Sequence, residues 1–202
     1  MKSSLTWMKD YVDVDMNQDM QAFADKLTIA GIPVEQVEYW GTEVKKVKTG
    51  KILQIDKHPD ADKLVVCQVD MGDEQLQIVT AATNVRVGQV VPVAVHGAHL
   101  PGGTKIKRSK LRGVLSNGMF CSAHEFGFDD SLLLPEEREG IWILPPDTPL
   151  GVDAADYLQV RDVVYEYELT ANRADCFSMV GLSREFAVLS GKEARYPEIS
   201  VK

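Results

Sequence analysis

Val47-Lys48-Thr49-Gly50-Lys51-Ile52-Leu53-Gln54-Ile55-Asp56-Lys57, stopped by His58-Pro59-Asp60, opens the part of the chain whose reading decides the fold. From Val44 onward apolar residues recur with a period of two, the spacing of a strand with one buried face. Further strands are predicted over Leu64–Val69, Leu76–Thr80, Val90–Val95 and Thr104–Arg108. Met71-Gly72-Asp73, Val87-Gly88 and Pro101-Gly102-Gly103 punctuate them. Short strands with Gly/Pro turns and no long helix between them specify a small barrel or sandwich. Five strands of this length suit an OB-type barrel, a partly open Greek-key design. An SH3-like barrel fits the pattern nearly as well.

Both flanks read differently. Met16, Met20, Phe23 and Leu27 share one helical face, capped by Asn17 or Asp15 and stopped by Gly31 and Pro33. A strand over Val34–Trp40 follows. Beyond Met119 the chain is acidic and loop-rich, ending in Pro145-Pro146 and Pro149. Val163–Leu169 then alternates as a strand. Asp175 stands where it can cap a helix with Met179, Leu182, Phe186 and Leu189 on its apolar face and Gly191 at its end. A forty-residue end piece could hardly bury its own core. The expected class is therefore α+β: a five-stranded OB-type barrel over residues 41–151, inserted into a small discontinuous α+β domain made of residues 1–40 and 152–202.

A chain of 202 residues, 45% hydrophobic, holds one large domain or two small ones. No run of ~18 apolar residues is present, so no membrane span is expected. Met1-Lys2-Ser3-Ser4 leads to Trp7, Lys9 and Asp10 rather than to an apolar stretch, which is no secretory signal. Cys67, Cys121 and Cys176 are odd in number and lack a Cys-x-x-Cys pair. That excludes a disulfide framework and a Cys-based zinc site and fits a reducing cytoplasm.

The net charge of −8 argues by itself against nucleic acid, but it is unevenly distributed. Val44 to Gly113 holds twelve Lys/Arg against six acids, a net of +6, which leaves −14 on the rest. Lys105-Ile106-Lys107-Arg108-Ser109-Lys110-Leu111-Arg112-Gly113 packs five cations into nine residues with no acid. Such a run neutralises phosphates, and equally it makes a charged edge strand that resists aggregation. Strand alternation puts Lys105 and Lys107 on one face with Ile106 inward. Val44 to Gly113 has no Phe, Tyr or Trp, so bases cannot stack along those strands, although Phe120, Phe126 and Phe128 lie just beyond. Any nucleic acid would be held by backbone and shape, as in a folded RNA. No phosphate loop, dinucleotide fingerprint or nucleophile elbow occurs, so no enzyme site is expected. His58, Asp60 and Asp62 sit in a Pro-containing turn and read as turn formers rather than metal ligands. His96 and His99 read as loop residues.

His58-Pro59-Asp60-Ala61-Asp62-Lys63-Leu64, Asn84, Lys110-Leu111-Arg112-Gly113 and Ser116-Asn117-Gly118-Met119, in that order, resemble the tRNA-binding OB domain. Bacterial phenylalanyl-tRNA synthetase β subunits, methionyl-tRNA synthetase C-terminal modules and endothelial-monocyte-activating polypeptide share that domain. Leu5-Thr6-Trp7-Met8-Lys9-Asp10-Tyr11-Val12 and Glu168-Leu169-Thr170-Ala171-Asn172-Arg173-Ala174-Asp175-Cys176 resemble the flanks found in the synthetase β subunit family. The resemblance implies an N-terminal, non-catalytic, cytoplasmic segment of a longer β chain that assists tRNA binding for phenylalanine attachment. Implied partners are a phenylalanine-specific tRNA, the α subunit and the remainder of β. ATP and Mg would belong to the parent enzyme, with no cofactor here. Lys63, Lys105, Lys107, Arg108, Lys110 and Arg112 are expected to meet phosphates, and Asn84, Ser116 and Asn117 to hydrogen-bond sugar or phosphate. Leu64, Val66, Leu111 and Met119 are expected inside the barrel. The alternatives are an assembly module packing against α or the rest of β, and a free-standing RNA chaperone.

Overall fold

The computed structural model describes residues 1–200. In chain order its strands and α-helices begin with β1 (Lys2–Ser4), α1 (Leu5–Met8), α2 (Met20–Ile29), β2 (Val34–Trp40), β3 (Lys45–Lys57), β4 (Val65–Asp70), β5 (Gln75–Thr80) and β6 (Val90–Leu100). β7 (Thr104–Lys105), β8 (Ser109–Leu111), β9 (Val114–Ser116), β10 (Gly118–Phe120), α3 (Ala154–Tyr157), β11 (Asp162–Tyr167) and α4 (Met179–Ser190) follow. Short 3-10 turns link several of them. No helix among the described residues is long and apolar enough to cross a membrane. The chain divides into two compact units, Met1–Trp40 with Arg161–Lys202, and Gly41–Val160. The last two positions of the 152–202 segment lie outside the described residues.

The first unit is an antiparallel sheet in the order β1-β11-β2 with helices on it. Its central strand comes from the far part of the chain and both edges from the near part, so neither part can complete the sheet alone. Leu5, Met8, Phe23, Leu27, Tyr165 and Phe186 are at its core, with Phe23 and Phe186 rings 5.1 Å apart. Tyr165 is fully buried, yet its hydroxyl donates to the Met20 carbonyl at 2.5 Å. The caps differ from those expected. Asp19, not Asn17 or Asp15, accepts from the Gln21 and Ala22 amides at the start of α2. Ser178, not Asp175, accepts from Gly181 at the start of α4. In both cases several capping residues stand in a row, and only the packed register of the helix selects one.

The second unit is an antiparallel sheet in the order β10-β6-β3-β4-β5, with β7 beside β6 and a β8–β9 hairpin. Mixed α and β structure with antiparallel sheets is thus present, and the ladder is an open path rather than a closed five-stranded ring. Its two ends meet through isolated bonds rather than a ladder, among them Asn117 N–H to the Gln77 carbonyl (2.9 Å) and Val79 N–H to Ser116 Oγ (3.0 Å). Nor does Thr104–Arg108 form the fifth strand. Gly97, at φ 81°, bulges β6, so that Gly97 and Ala98 both pair with Ile106 and the ladder stops. Gly118–Phe120 instead pairs with Val93–Val95 of β6, on the edge away from β3. Gly118 is required there by sterics, since a Cβ would run into the Ala94 carbonyl oxygen.

Both faces of this sheet are covered, which is why Val90–Val95 reads as an unbroken apolar run. Ile52, Cys67, Ile78, Val93 and Phe120 pack on one side; Val44, Val47, Ala94, Phe126, Ala154 and Ala155 on the other. α3 belongs to the second of these cores, so the unit continues to Val160 rather than stopping at residue 151. Val66 is buried, but Leu111 is not a core residue: it is 38% exposed on the hairpin. Leu64 and Met119 are half-buried.

Candidate nucleic-acid interface

The bulge in β6 turns the basic run outward. Ile106 packs against the Val44–Phe126 core while Lys105, Lys107 and Arg108 stay exposed. Arg108 is tied to β6 by its backbone N–H, which donates to His96 Nδ1 at 3.2 Å. Cross-strand register then adds residues that sequence reasoning missed. Lys45 on β3 pairs with His99 on β6, and His99 with Lys105 on β7. Directly paired residues point to the same face of a sheet, so three exposed basic side chains form one transverse row. Lys46, at φ 57°, sits in the irregularity beside that row and reaches over Gly97. The signal was present as lysines at the start of a strand, but only the pairing of β3 with β6 gives it meaning. His96 and His99 are strand residues, not loop residues.

The run continues into the hairpin. Arg112 (φ 47°) and Gly113 (φ 87°) are its two turn residues, and positive φ at both is the backbone of a type I′ turn. Lys110 and Arg112 are exposed on it. Buried His58 anchors the hairpin: its Nε2 lies 2.9 Å from the Leu111 carbonyl, while Nδ1 accepts the Asp60 N–H at 3.1 Å. With Nδ1 as acceptor, Nε2 carries the proton and donates. The His58–Leu64 turn, with exposed Lys63, is thereby fastened to the hairpin. Gln77 Nε2 adds a second anchor by donating to the Leu115 carbonyl at 2.7 Å.

Three residues expected to hydrogen-bond the ligand also make hydrogen bonds within the unit. Ser116 is 2% exposed, and its hydroxyl donates to the Gly118 carbonyl and accepts from Val79 N–H. Asn84 holds the backbone of Ile141, its Nδ2 donating at 2.9 Å and its Oδ1 accepting at 3.0 Å. Asn117 directs both its backbone and side-chain amides to Gln77 O. Ser116 and Asn117 thus link the two ends of the sheet, and Asn84 fastens the Ile141 segment. Small polar residues in a glycine-rich motif look alike in sequence whether they serve a turn or a ligand.

Among the described residues, no carboxylate lies within 4.0 Å of the charged groups of Lys63, Lys105, Lys107, Arg108, Lys110 or Arg112. Aromatic platforms are missing too. Phe120 and Phe126 are buried, and Phe128 packs edge-on against Trp142 with centroids 5.5 Å apart. The run can therefore neutralise phosphates and itself carries no ring on which to stack a base.

A family model described as "Putative tRNA binding domain" matches residues 47–153, more than half of the chain. The chain belongs to the tRNA-binding domain family. Beyond that domain, it is 52% identical over 197 residues to the phenylalanine–tRNA ligase beta subunit of Moorella thermoacetica. It is 46% identical over 201 residues to that of Syntrophus aciditrophicus and 46% over 200 residues to that of Clostridium acetobutylicum. These matches cover 98%, 100% and 98% of this chain but 24% of each relative, and lie in the N-terminal part of those subunits. The chain thus spans about a quarter of the length of the relatives it matches. A solved MetRS related protein from Pyrococcus horikoshii aligns with a TM-score of 0.38 and 23% identity, covering 52% of this chain and 84% of that one.

Proposed function

We propose that the second unit is a tRNA-binding module of OB type, residues 41–151 with α3 appended, carried by a discontinuous first unit. The chain would serve phenylalanine attachment by bringing a phenylalanine-specific tRNA to an enzyme completed by the α subunit and the rest of β, in the cytoplasm. ATP and Mg would act in that larger assembly, and no step of the chemistry is assigned to residues here. The observation that supports the reading is the exposed run Lys105–Arg112, free of carboxylate partners among the described residues, in a domain of this family. Its cations would displace counterions from phosphates, and shape rather than base stacking would select a folded RNA.

The test is a salt titration of tRNA binding with Lys107, Arg108 and Lys110 all changed to Gln. Each phosphate contact contributes about 0.7–0.9 to the slope of log affinity against log salt. The triple variant should lose about 2–3 of that slope, and an unchanged slope would dispose of the assigned surface.

The first unit supports a compatible second reading, docking onto the rest of the enzyme. Trp7 and Phe177, 54% and 59% exposed, border a groove of about 380 Å³ with Tyr11 and Val180. Trp7→Ser with Phe177→Ser should weaken co-purification with the α and β remainder while leaving tRNA binding intact.

A further inference from the structure

Beside the Lys45–His99–Lys105 row lies a hollow of about 250 Å³, lined by Glu43, Lys45, His99, Leu100 and Gly103. It is smaller than the ~300–1,000 Å³ typical of sites that enclose a drug-sized molecule. Apart from Leu100, its walls are exposed, so it can receive one unit of a longer chain passing over it. Its chemistry is mixed. Lys45 lines it with His99 and further cations continue beyond it, yet Glu43 contributes a carboxylate with no ion-pair or hydrogen-bond partner among the described residues. A bare carboxylate on a phosphate-binding surface repels the ligand unless the ligand brings a donor to it. In an RNA backbone, the donor next to each phosphate is the ribose 2′-hydroxyl.

The geometry points to this hollow as a subsite for one ribose-phosphate unit of RNA, the phosphate against the Lys45–His99–Lys105 row and the 2′-hydroxyl donating to Glu43. The inference rests on the tRNA-binding reading and adds to it a means of rejecting DNA. A deoxyribose offers no donor and leaves the carboxylate facing phosphate charge.

The test uses the whole 202-residue chain, with a tRNA transcript and a DNA strand of the same sequence as probes. The readout is the ratio of RNA to DNA affinity, in which any charge effect common to both probes cancels. Glu43→Ala should reduce that ratio about ten- to a hundredfold, the size expected for one hydrogen bond to a charged group. Glu43→Gln, which keeps an acceptor oxygen, should fall between Ala and the parent. Lys45→Gln with His99→Gln should weaken both probes, flatten the salt slope by about 0.7–0.9 for the lysine, and preserve the ratio. An unchanged ratio in Glu43→Ala, or an unchanged slope in the double variant, overturns the subsite. Neither result touches the tRNA reading, which fails separately if the parent chain shows no salt-sensitive tRNA binding.

Discussion

The two units differ in how their most clustered cations are used. In the first, three of them are paired within the fold: Lys2 bridges Glu38 and Glu166, Lys192 approaches Asp13, and Arg173 joins Asp175 at 3.2 Å to Glu185 at 2.6 Å. In the second, Lys48 lies 3.8 Å from Asp73, but the run from Lys105 to Arg112 has no carboxylate partner among the described residues. Equal charges therefore carry different meanings: a paired cation holds a structure, and an unpaired cluster is left available to a partner. Arg173 shows the first case well. Its guanidinium sits among Asp175, Cys176 and Glu185, the one group of potential metal ligands among the described residues, and supplies the positive charge there itself.

The largest test of the contrast is the triple Gln variant of Lys107, Arg108 and Lys110. At moderate salt tRNA affinity should fall by about two orders of magnitude, while thermal unfolding stays within about 0.5 kcal/mol of the parent. A matching loss of stability would show that these cations serve the fold and would erase the contrast.

Gly118→Ala should do the reverse. Its Cβ meets the Ala94 backbone, so β10 cannot remain on β6, and about 3 kcal/mol or more of stability should be lost. At Gly113 the space is open and only the φ of 87° resists a side chain, so Gly113→Ala should cost about 1 kcal/mol. Denaturant unfolding of the pair separates steric from conformational glycines within one motif.

Arg173→Ala should destabilise the first unit by about 1–3 kcal/mol with tRNA affinity unchanged. Hydrogen bonding to Arg173 holds the Asp175 carboxyl below the usual aspartate range. The folded state therefore binds that proton less tightly than the unfolded chain. The contribution is present above about pH 4 and is lost as pH falls through the depressed folded value, so the gap between parent and variant should narrow in acid. A gap independent of pH would mean the arginine acts by packing alone.

The smallest effect belongs to His58→Gln. One anchor of the β8–β9 hairpin is lost, for about 1 kcal/mol, and amide exchange should quicken at Leu111 and Val114 before the rest of the sheet responds.

Legibility follows from how local each feature is. The strands near residues 47–57, 64–70, 76–80 and 90–95 were readable because alternation and Gly/Pro punctuation act over a few residues. The α4 face of Met179, Leu182 and Phe186 was readable for the same reason. Less local features were not. The bulge at Gly97, the displacement of Thr104–Arg108 by Gly118–Phe120, and the bonds of Asn84 to Ile141 and of Ser116 to Val79 depend on partners far along the chain.

By itself, the sequence determined the strand periods, the basic run at 105–112, the lack of stacking aromatics and the motif set that names the family. Tertiary structure alone decided that β11 is the middle strand of the first unit, that the second sheet remains an open path, and that Lys45 and His99 stand in line with Lys105. The reason is physical: composition and period are properties of neighbours in the chain, whereas strand order and register are set by which distant segments bury each other's surface.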